Sequence, residues 1–236
     1  MSHTPPPVVP GHDLLKGKTV LITAAAGAGI GVAAAENLSE LAGAPVGHRL
    51  CNVTDEADVR ALVAAAIDDL GHVDVLINNA GLGGTTHLAD MTDEQWHTVM
   101  DVTLYSVFRM TRAILPHMQS RASGVIVNNA SVLGWRAQAG QSHSAAAKAG
   151  VMALTRCVAL EEAEHGIRVN AVAPSFATHP FLVKTTPRDQ LEALEAAEAY
   201  GRGADPAEVA NVMVFLASDY SSYMTGEVVS VSSQRA

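Results

Sequence analysis

Two hydrophobic patterns alternate along the chain. Short apolar runs, rich in β-branched residues and bounded by turns, predict strands, and they lie at 18–23, 48–53, 73–79, 124–130, 167–173 and 227–232. Longer stretches with helical spacing predict helices at 29–42, 55–70, 92–119, 141–165 and 205–217. Because strands and helices alternate and the strands are apolar on both faces, we expect an α/β fold with a parallel sheet covered by helices on both sides.

Local signals refine this pattern. Thr54 or Asp55 suits the N-terminus of one helix, and Thr92, ahead of "DEQW", suits another. The segment 174–204 follows a predicted strand, carries three prolines and contains a short helical pattern. A long excursion at the carboxyl end of a parallel strand is typical of a lid or substrate loop.

Length and composition fit one domain. The chain has 236 residues, of which 48% are hydrophobic and 17% charged, enough for a substantial core. The proline-rich start predicts a flexible arm over 1–15, followed by a single domain over 16–236. A formal net charge of −9 argues against nucleic acid as a partner. No apolar run approaches the about 18 residues of a membrane span, so we expect no membrane partner.

The cysteines and the N-terminus bear on location. Cys51 and Cys157 lie far apart, without the spacing of a metal or redox site, so we expect no metal and two buried, unpaired thiols. Prolines stand where a signal peptide has its apolar centre. Together these features predict a soluble, cytoplasmic protein.

Four stretches carry candidate chemistry. In "VLITAAAGAGIG" (20–31) a strand runs into a Gly-rich turn and a helix start, which suits a pyrophosphate. "DVLINNAG" (74–81) places polar residues at a strand end, "VIVNNASVLGW" (125–135) places a serine just past a strand, and "SHSAAAK" (142–148) carries a helical lysine. Each alone also has a structural explanation: turn chemistry for the glycines and asparagines, and an ordinary surface or helix residue for the serine and the lysine. Their order and spacing together indicate one functional site.

Together the four stretches resemble the classical short-chain dehydrogenase/reductase family over about residues 16–233. The resemblance implies a Rossmann-type doubly wound sheet, NAD or NADP as cofactor, and hydride transfer between a secondary alcohol and a ketone. The family's serine falls on Ser131, its lysine on Lys148, its tyrosine on Ser144 and its asparagine on Thr103. The implied cofactor-binding residues are Thr23, Gly27, Gly29, Ile30, Gly31, Asn52, Val53, Asn79, Ala80, Gly81, Lys148, Pro174 and Thr178.

The resemblance also implies a division of labour. The tyrosine protonates the carbonyl oxygen as hydride arrives at carbon, and the nearby lysine ammonium lowers the tyrosine pKa. The lysine also binds the nicotinamide ribose, the serine hydroxyl holds the substrate oxygen, and the asparagine carries a water of the proton relay.

Ser144 departs most sharply from that scheme. An aliphatic hydroxyl has a pKa far above the ~10 of a phenol, and its oxygen lies about 4–5 Å nearer the backbone, out of reach of the substrate. A water in the gap is a poor substitute. Thr103 can still position a water. At the lid, Ser175 replaces the glycine of the family's Pro-Gly motif, and Thr178 or His179 is expected near the cofactor amide.

A structural unit is also missing. Only 29 residues separate Thr23 from Asn52, where the family fits a helix, a strand and a second helix in roughly 50. We therefore expect about six strands rather than seven, with an opened adenosine side. The missing strand normally carries the residue that separates NAD from NADP, so the sequence leaves that choice open. Asn52 replaces an aspartate that contacts adenine and keeps an acceptor oxygen.

The runs "NNASVLGWRAQAGQ" and "FLASDYSSYMTGEVVSVSSQ" are most similar to actinobacterial members of the family that act in steroid-ring breakdown. This similarity implies a small alcohol or ketone substrate, steroid-derived and carried on CoA. Trp135 and Phe181 either line an apolar pocket or pack in the core. Candidate phosphate partners are Arg136, Lys184, Arg188 and Arg202, although a surface charge is the simpler interpretation of each.

The resemblance implies that the helices 92–119 and 141–165 form a dimer surface, and their small and apolar residues suit packing across a two-fold axis. By this resemblance we expect a homodimer or homotetramer. Three hypotheses follow for activity. The chain is an active oxidoreductase, or an impaired protein of the same fold acting as a binding or oligomer partner, or an enzyme with Ser131 or Ser144 as nucleophile. The third lacks a histidine–acid pair with triad spacing, although His143 is adjacent to Ser144.

Overall fold

A parallel sheet forms the centre of the molecule. The computed structural model describes residues 14–24, 30–42, 47–178, 182 and 188–233. Within them, five parallel strands are hydrogen-bonded in chain order. The strands are β1 (Val20–Ile22), β2 (Val75–Asn78), β3 (Gly124–Asn129), β4 (Ile167–Pro174) and β5 (Val228–Val231). The predicted α/β class is confirmed.

Seven α-helices accompany the strands in the described part of the chain. They are α1 (Ile30–Ala42), α2 (Glu56–Leu70), α3 (Asp93–Met100), α4 (Ser106–Ser120), α5 (Ser142–Glu162), α6 (Arg188–Ala197) and α7 (Pro206–Ala217). A π-helical turn, Asp101–Tyr105, joins α3 to α4, so the helix predicted at 92–119 is almost continuous.

The predicted helix starts at 55 and 92 are confirmed by side-chain caps. The Asp55 carboxylate accepts from the Asp58 N–H, and Thr92 forms a reciprocal capping box with Gln95. Each cap satisfies an N–H that the first helical turn leaves without a partner.

Alternate strand residues enter cores on opposite faces of the sheet. Val75 and Ile77 pack in a cluster that includes residues of α1 and α7, whereas Leu76 packs in a cluster from α2, α4 and α5. All four residues of β2 are buried. Strands covered on both faces need apolar side chains in both directions, which is why their runs lack a polar–apolar alternation.

The prediction of a strand at 48–53 is wrong. Residues 48–52 have no regular secondary structure, and Leu50 is 100% exposed. A strand needs a hydrogen-bonded neighbour, and the described chain between α1 and this segment supplies none. β1 is therefore an edge of the described sheet, with all three residues only partly buried. The described part of the chain thus contributes five strands to the sheet, where about six were predicted.

Three further predictions concern the N-terminal arm, the cysteines and membrane-spanning helices. Residues 1–13 of the predicted arm lie outside the described residues, but Leu15 is 1% exposed and packs in the core. Both cysteines were expected to be buried, which is wrong: Cys51 is half-buried and Cys157 is exposed on α5. Across the described residues, no helix is long and apolar enough to cross a membrane.

The helical pattern predicted within 174–204 corresponds to α6. The two ends of this segment meet, because Ala177 and Ala204 form a β-bridge. Residues 179–181 and 183–187 lie outside the described part of the chain, and the lid role of the segment stays a prediction.

Candidate active site

The carboxyl ends of the parallel strands meet at one edge of the sheet, where Thr23 follows β1 and Asn79 follows β2. The Thr23 Oγ1 accepts from the main-chain N–H groups of Asn79 and Ala80, both at 2.9 Å. The Asn79 Nδ2 donates to the Thr23 carbonyl at 3.3 Å. Thr23 thus fixes the backbone of the turn after β2, which continues to Gly81.

Gly31 lets the first helix approach this turn closely. A Cβ at this position would overlap the Ala24 carbonyl oxygen and the Asn79 Nδ2. Glycine is therefore required for α1 to begin against the ends of β1 and β2. Ile30 opens α1 and packs on the core. The predicted cofactor residues Gly27 and Gly29 lie outside the described residues.

Side-chain amides link the ends of β2 and β3 on both faces of the sheet. On one face, Asn78 donates to the Asn128 Oδ1 at 2.9 Å, and Asn128 donates to Thr155 at 2.9 Å. On the other face, the Asn129 Nδ2 donates to the Asn79 Oδ1 at 3.0 Å. Sequence analysis missed Asn129, although the signal that drew attention to Asn78 and Asn79, a polar pair ending an apolar strand, is present there too.

Lys148 projects from α5 toward the same edge. Its Nζ donates to the main-chain carbonyl of Asn129. Burial of the ammonium lowers the pKa of Lys148 to about 8 because desolvation disfavours the charged form. A Cβ built on the exposed Gly81 would lie 3.5 Å from this Nζ, so the missing side chain leaves open space beside the ammonium.

Ser131 lies where the ends of β3 and β4 meet. It caps the short 3₁₀ turn Val132–Gly134, its Oγ accepting from the Leu133 N–H at 3.2 Å. The same hydroxyl donates to the carbonyl of Pro174, the last residue of β4, at 3.3 Å. Ser131 is only partly buried, and its long hydrogen bond to Pro174 is readily exchanged for another acceptor.

Ser144 lies in the first turn of α5, four residues before Lys148 and hence on the same helix face. It is 4% exposed, and its Oγ is buried with no hydrogen-bond partner among the described residues. A Cβ on Gly83 would approach this oxygen to 3.9 Å. The neighbouring His143 uses its Nδ1 to accept from the Ser144 main-chain N–H. Its imidazole therefore caps the backbone rather than activating a serine hydroxyl.

Thr103 occupies the π-helical turn, a distortion that often marks a functional position. It is 1% exposed, and its Oγ1 accepts from the Leu82 N–H at 3.0 Å and donates to the Leu82 carbonyl at 3.1 Å. Thr103 thus holds the segment that follows Gly81 against the helix. Its suggested role in holding a water stays a prediction.

Within the described part of the chain, no hydrogen bond joins Asn52 or Val53 to the residues above. Asn52 is exposed, its Oδ1 accepts from Thr54, and its N–H donates to Asp58. Thr178 lies at the start of the segment after β4, where its N–H donates to the Ala204 carbonyl at 2.9 Å.

The structure describes some of the aromatic and basic residues that were candidates for the substrate pocket. Trp135 is 48% exposed, so the core-packing alternative for it is wrong. Arg202 forms two hydrogen bonds with Glu208, at 2.8 and 2.9 Å, and Arg188 pairs with Glu192 at 3.0 Å, as expected of surface charges. The candidates that lie outside the described residues are His179, Phe181 and Lys184.

Comparisons with known proteins find relatives over nearly the whole chain. The family model described as "Enoyl-(Acyl carrier protein) reductase" (adh_short_C2) matches residues 15–233. A Mycobacterium tuberculosis protein named (5R,7aS)-5-hydroxy-7a-methyl-1-oxo-2,3,5,6,7,7a-hexahydro-1H-indene-carboxyl-CoA reductase is 54% identical over 254 residues, covering 97% of each chain. The 3-oxoacyl-[acyl-carrier-protein] reductase FabG of Vibrio cholerae is 37% identical over 237 residues, covering 92% of this chain and 96% of the relative.

Solved structures give the same result. A short-chain dehydrogenase from Mycobacterium smegmatis is 51% identical, covers 98% of both chains and superposes with a TM-score of 0.79. Levodione reductase is 32% identical, covers 93% of this chain and 97% of its own, and has a TM-score of 0.87. The 254-residue alignment to the M. tuberculosis relative is longer than this chain of 236 residues, so that relative has residues that this chain lacks.

Proposed function

Because the chain belongs to the short-chain dehydrogenase/reductase family, we propose that it is an NAD(P)-dependent oxidoreductase that interconverts a secondary alcohol and a ketone. One observation carries the proposal. The Ser131 hydroxyl and the Lys148 ammonium lie at the strand edge where Asn79, Ala80 and Gly81 form a turn.

The nicotinamide half of the cofactor fits this edge. The Asn129 Oδ1 is a buried acceptor without a partner among the described residues, and Lys148 supplies donors at the main-chain carbonyl of the same residue. Gly31 permits close approach of the helix N-terminus, which favours a phosphate. The nicotinamide ring, when bound, supplies or accepts the hydride. We assign the ribose to Lys148 and the pyrophosphate to the start of α1.

The adenosine half fits less well. Asn52, proposed to accept from adenine, is exposed and already bonded to Thr54. The segment before it carries the fully exposed Leu50 instead of a paired strand. We therefore expect weak affinity for either dinucleotide and little discrimination between NAD and NADP.

The chain's own residues bind the substrate oxygen and stabilise the charge that develops on it. The Ser131 hydroxyl holds the substrate oxygen, which favours the charge that develops there. Lys148, with a pKa of about 8, is mostly protonated at pH 7 and favours negative charge on that oxygen. Ser144 is a poor proton donor because its hydroxyl is aliphatic and buried. A water must therefore deliver the proton, and turnover is slow.

A second candidate function is favoured by the same serine. The Ser144 Oγ is buried and has no hydrogen-bond partner in the described structure. Burying a hydroxyl without a hydrogen bond costs free energy. In this alternative the chain is a catalytically impaired protein of the same fold that acts as a binding or oligomer partner. The nucleophile hypothesis has less support, because His143 bonds its own backbone neighbour.

For the substrate, we propose a steroid-derived fused-ring ketone or alcohol carried on CoA. The name of the 54% identical relative supports a fused-ring thioester. Trp135, exposed four residues after Ser131, offers an aromatic face to such a ring.

We also propose a cytoplasmic homodimer or homotetramer. A groove of about 540 Å³ lies between α5 and the stretch where the π-helical turn passes into α4. Its side chains are mostly apolar and include Leu104, Tyr105 and Phe108. Tyr105 and Phe108 are 46% and 42% exposed. Exposed aromatic side chains in one patch suit an interface between copies.

Cofactor titration tests the proposal. Isothermal titration calorimetry with NADH and NADPH is expected to show binding of at least one dinucleotide in the micromolar to millimolar range. A fused-ring ketone presented as a CoA thioester should then be reduced slowly, which is measured as loss of absorbance of the reduced nicotinamide. Absence of binding for both cofactors at millimolar concentration would refute the oxidoreductase and favour the impaired alternative.

A further inference from the structure

Asn129 carries a buried side-chain amide for which the proposed function names no hydrogen-bond donor. It ends β3 and is 8% exposed. Its Nδ2 donates to the Asn79 Oδ1, and its main-chain carbonyl accepts from the Lys148 ammonium. One residue therefore contacts both the turn after β2 and the site lysine.

The other end of this amide is unsatisfied. The Asn129 Oδ1 has no hydrogen-bond partner in the described part of the chain and almost no contact with solvent. A buried amide oxygen left unpaired costs about 1–3 kcal/mol, so native proteins seldom retain one without a ligand, water or ion to satisfy it. Because its Nδ2 is committed to Asn79, the amide cannot flip without placing two acceptor oxygens against each other.

We infer that Asn129 is a cofactor-binding residue whose Oδ1 accepts a hydrogen bond from a ribose hydroxyl of the nicotinamide nucleotide. The inference rests on the proposed function. An acceptor requires a donor, and a ribose hydroxyl supplies one at the point where Lys148 binds the same sugar. The bond from Nδ2 to Asn79 holds the amide in the orientation that presents Oδ1.

The neighbouring Asn128 offers a matched control. It is 1% exposed on the same strand, but successive strand residues face opposite sides. Its amide is satisfied at both ends, accepting from Asn78 and donating to Thr155. Asn128 and Asn129 thus share burial and chemistry and differ in whether the amide oxygen has a partner.

The experiment measures NADH and NADPH affinity by calorimetry for the wild-type chain and for Asn129→Leu and Asn128→Leu. Thermal melts followed by circular dichroism show whether each variant is folded. If either leucine variant lacks a cooperative melt, the pair Asn129→Ser and Asn128→Ser replaces it, because serine is too short to make the same bonds.

We expect the Asn129 variant to bind about tenfold more weakly or worse, as for loss of one buried hydrogen bond, and the Asn128 variant to stay within twofold of wild type. Unchanged affinity in the Asn129 variant would overturn the inference and leave the proposed function intact. Equal losses in both variants would also overturn it, because the effect would then come from strand packing. Absence of binding to the wild-type chain would overturn both.

Discussion

The desolvated ammonium of Lys148 makes a quantitative prediction about stability. Lowering its pKa from the ordinary 10.5 to about 8 corresponds to at most about 3 kcal/mol of destabilisation of the folded, charged form. The figure is an upper bound because part of the residue reaches solvent. One hydrogen bond to the Asn129 carbonyl contributes about 1 kcal/mol in return. The substitution Lys148→Met should therefore leave the protein at least as stable as wild type at pH 7.

The pH dependence supplies the sharper test. The unfolded chain keeps this proton up to about pH 10.5, whereas the folded chain loses it near pH 8. The penalty is therefore complete below pH 8 and is relieved as the pH rises through the window from 8 to 10.5. Between pH 7 and pH 9, wild-type stability should rise by about 1 kcal/mol relative to Lys148→Met.

Urea denaturation at a series of pH values measures this difference. The exposed Lys18 provides a control, and Lys18→Met should keep the wild-type pH dependence. If Lys148→Met loses more than about 1 kcal/mol of stability at pH 7 and shows the same pH slope as wild type, then desolvation of the Lys148 ammonium does not destabilise the fold. A lysine kept at a cost to stability is expected at a site where its charge is used.

Two further predictions concern the cofactor turn and the assembly. Gly31→Ala should weaken dinucleotide binding about tenfold or more, because a Cβ would overlap Ala24 and Asn79. Calorimetry compares this variant with Gly47→Ala, where a Cβ meets nothing within 4 Å. Equal affinities in the two variants would contradict the prediction. Phe108→Asp should convert a dimer or tetramer to smaller species, because it places a charge in the apolar groove. Sedimentation velocity decides, with the exposed Leu50→Asp as control, and a monomeric wild type would refute the interface.

The parts of the fold that rest on local signals were predictable from the sequence. The caps at Asp55 and Thr92 specify where α2 and α3 begin, and continuous apolar runs identify the buried strands. The failure at 48–53 has a non-local cause. Its apolar pattern is strand-like, but a strand also needs a neighbour, and the described chain provides none beside it. Pattern alone does not reveal an absent partner.

The candidate site divides in the same way. Ser131, Ser144 and Lys148 were identified through the family resemblance that the motif order and spacing carry, and the structure places each of them near the carboxyl edge of the sheet. Asn129 was missed because a second asparagine in a run of polar residues is indistinguishable from a turn former until its hydrogen bonds are known. The exposure of Trp135 and Cys157 depends on which helix or turn covers them, which a local pattern does not contain.

The site retains its serine and lysine but lacks its acid at Ser144. The most direct test compares single-turnover reduction of a fused-ring ketone CoA thioester by wild type, Ser144→Tyr and Ser144→Phe at saturating NADPH or NADH. Phenylalanine adds the ring without the hydroxyl. We predict that Ser144→Tyr is at least about a hundredfold faster than wild type and that Ser144→Phe shows no gain. Equal rates in the tyrosine and phenylalanine variants would contradict the loss of the acid as the cause of slow reduction, and would assign that cause to the missing adenosine-side unit.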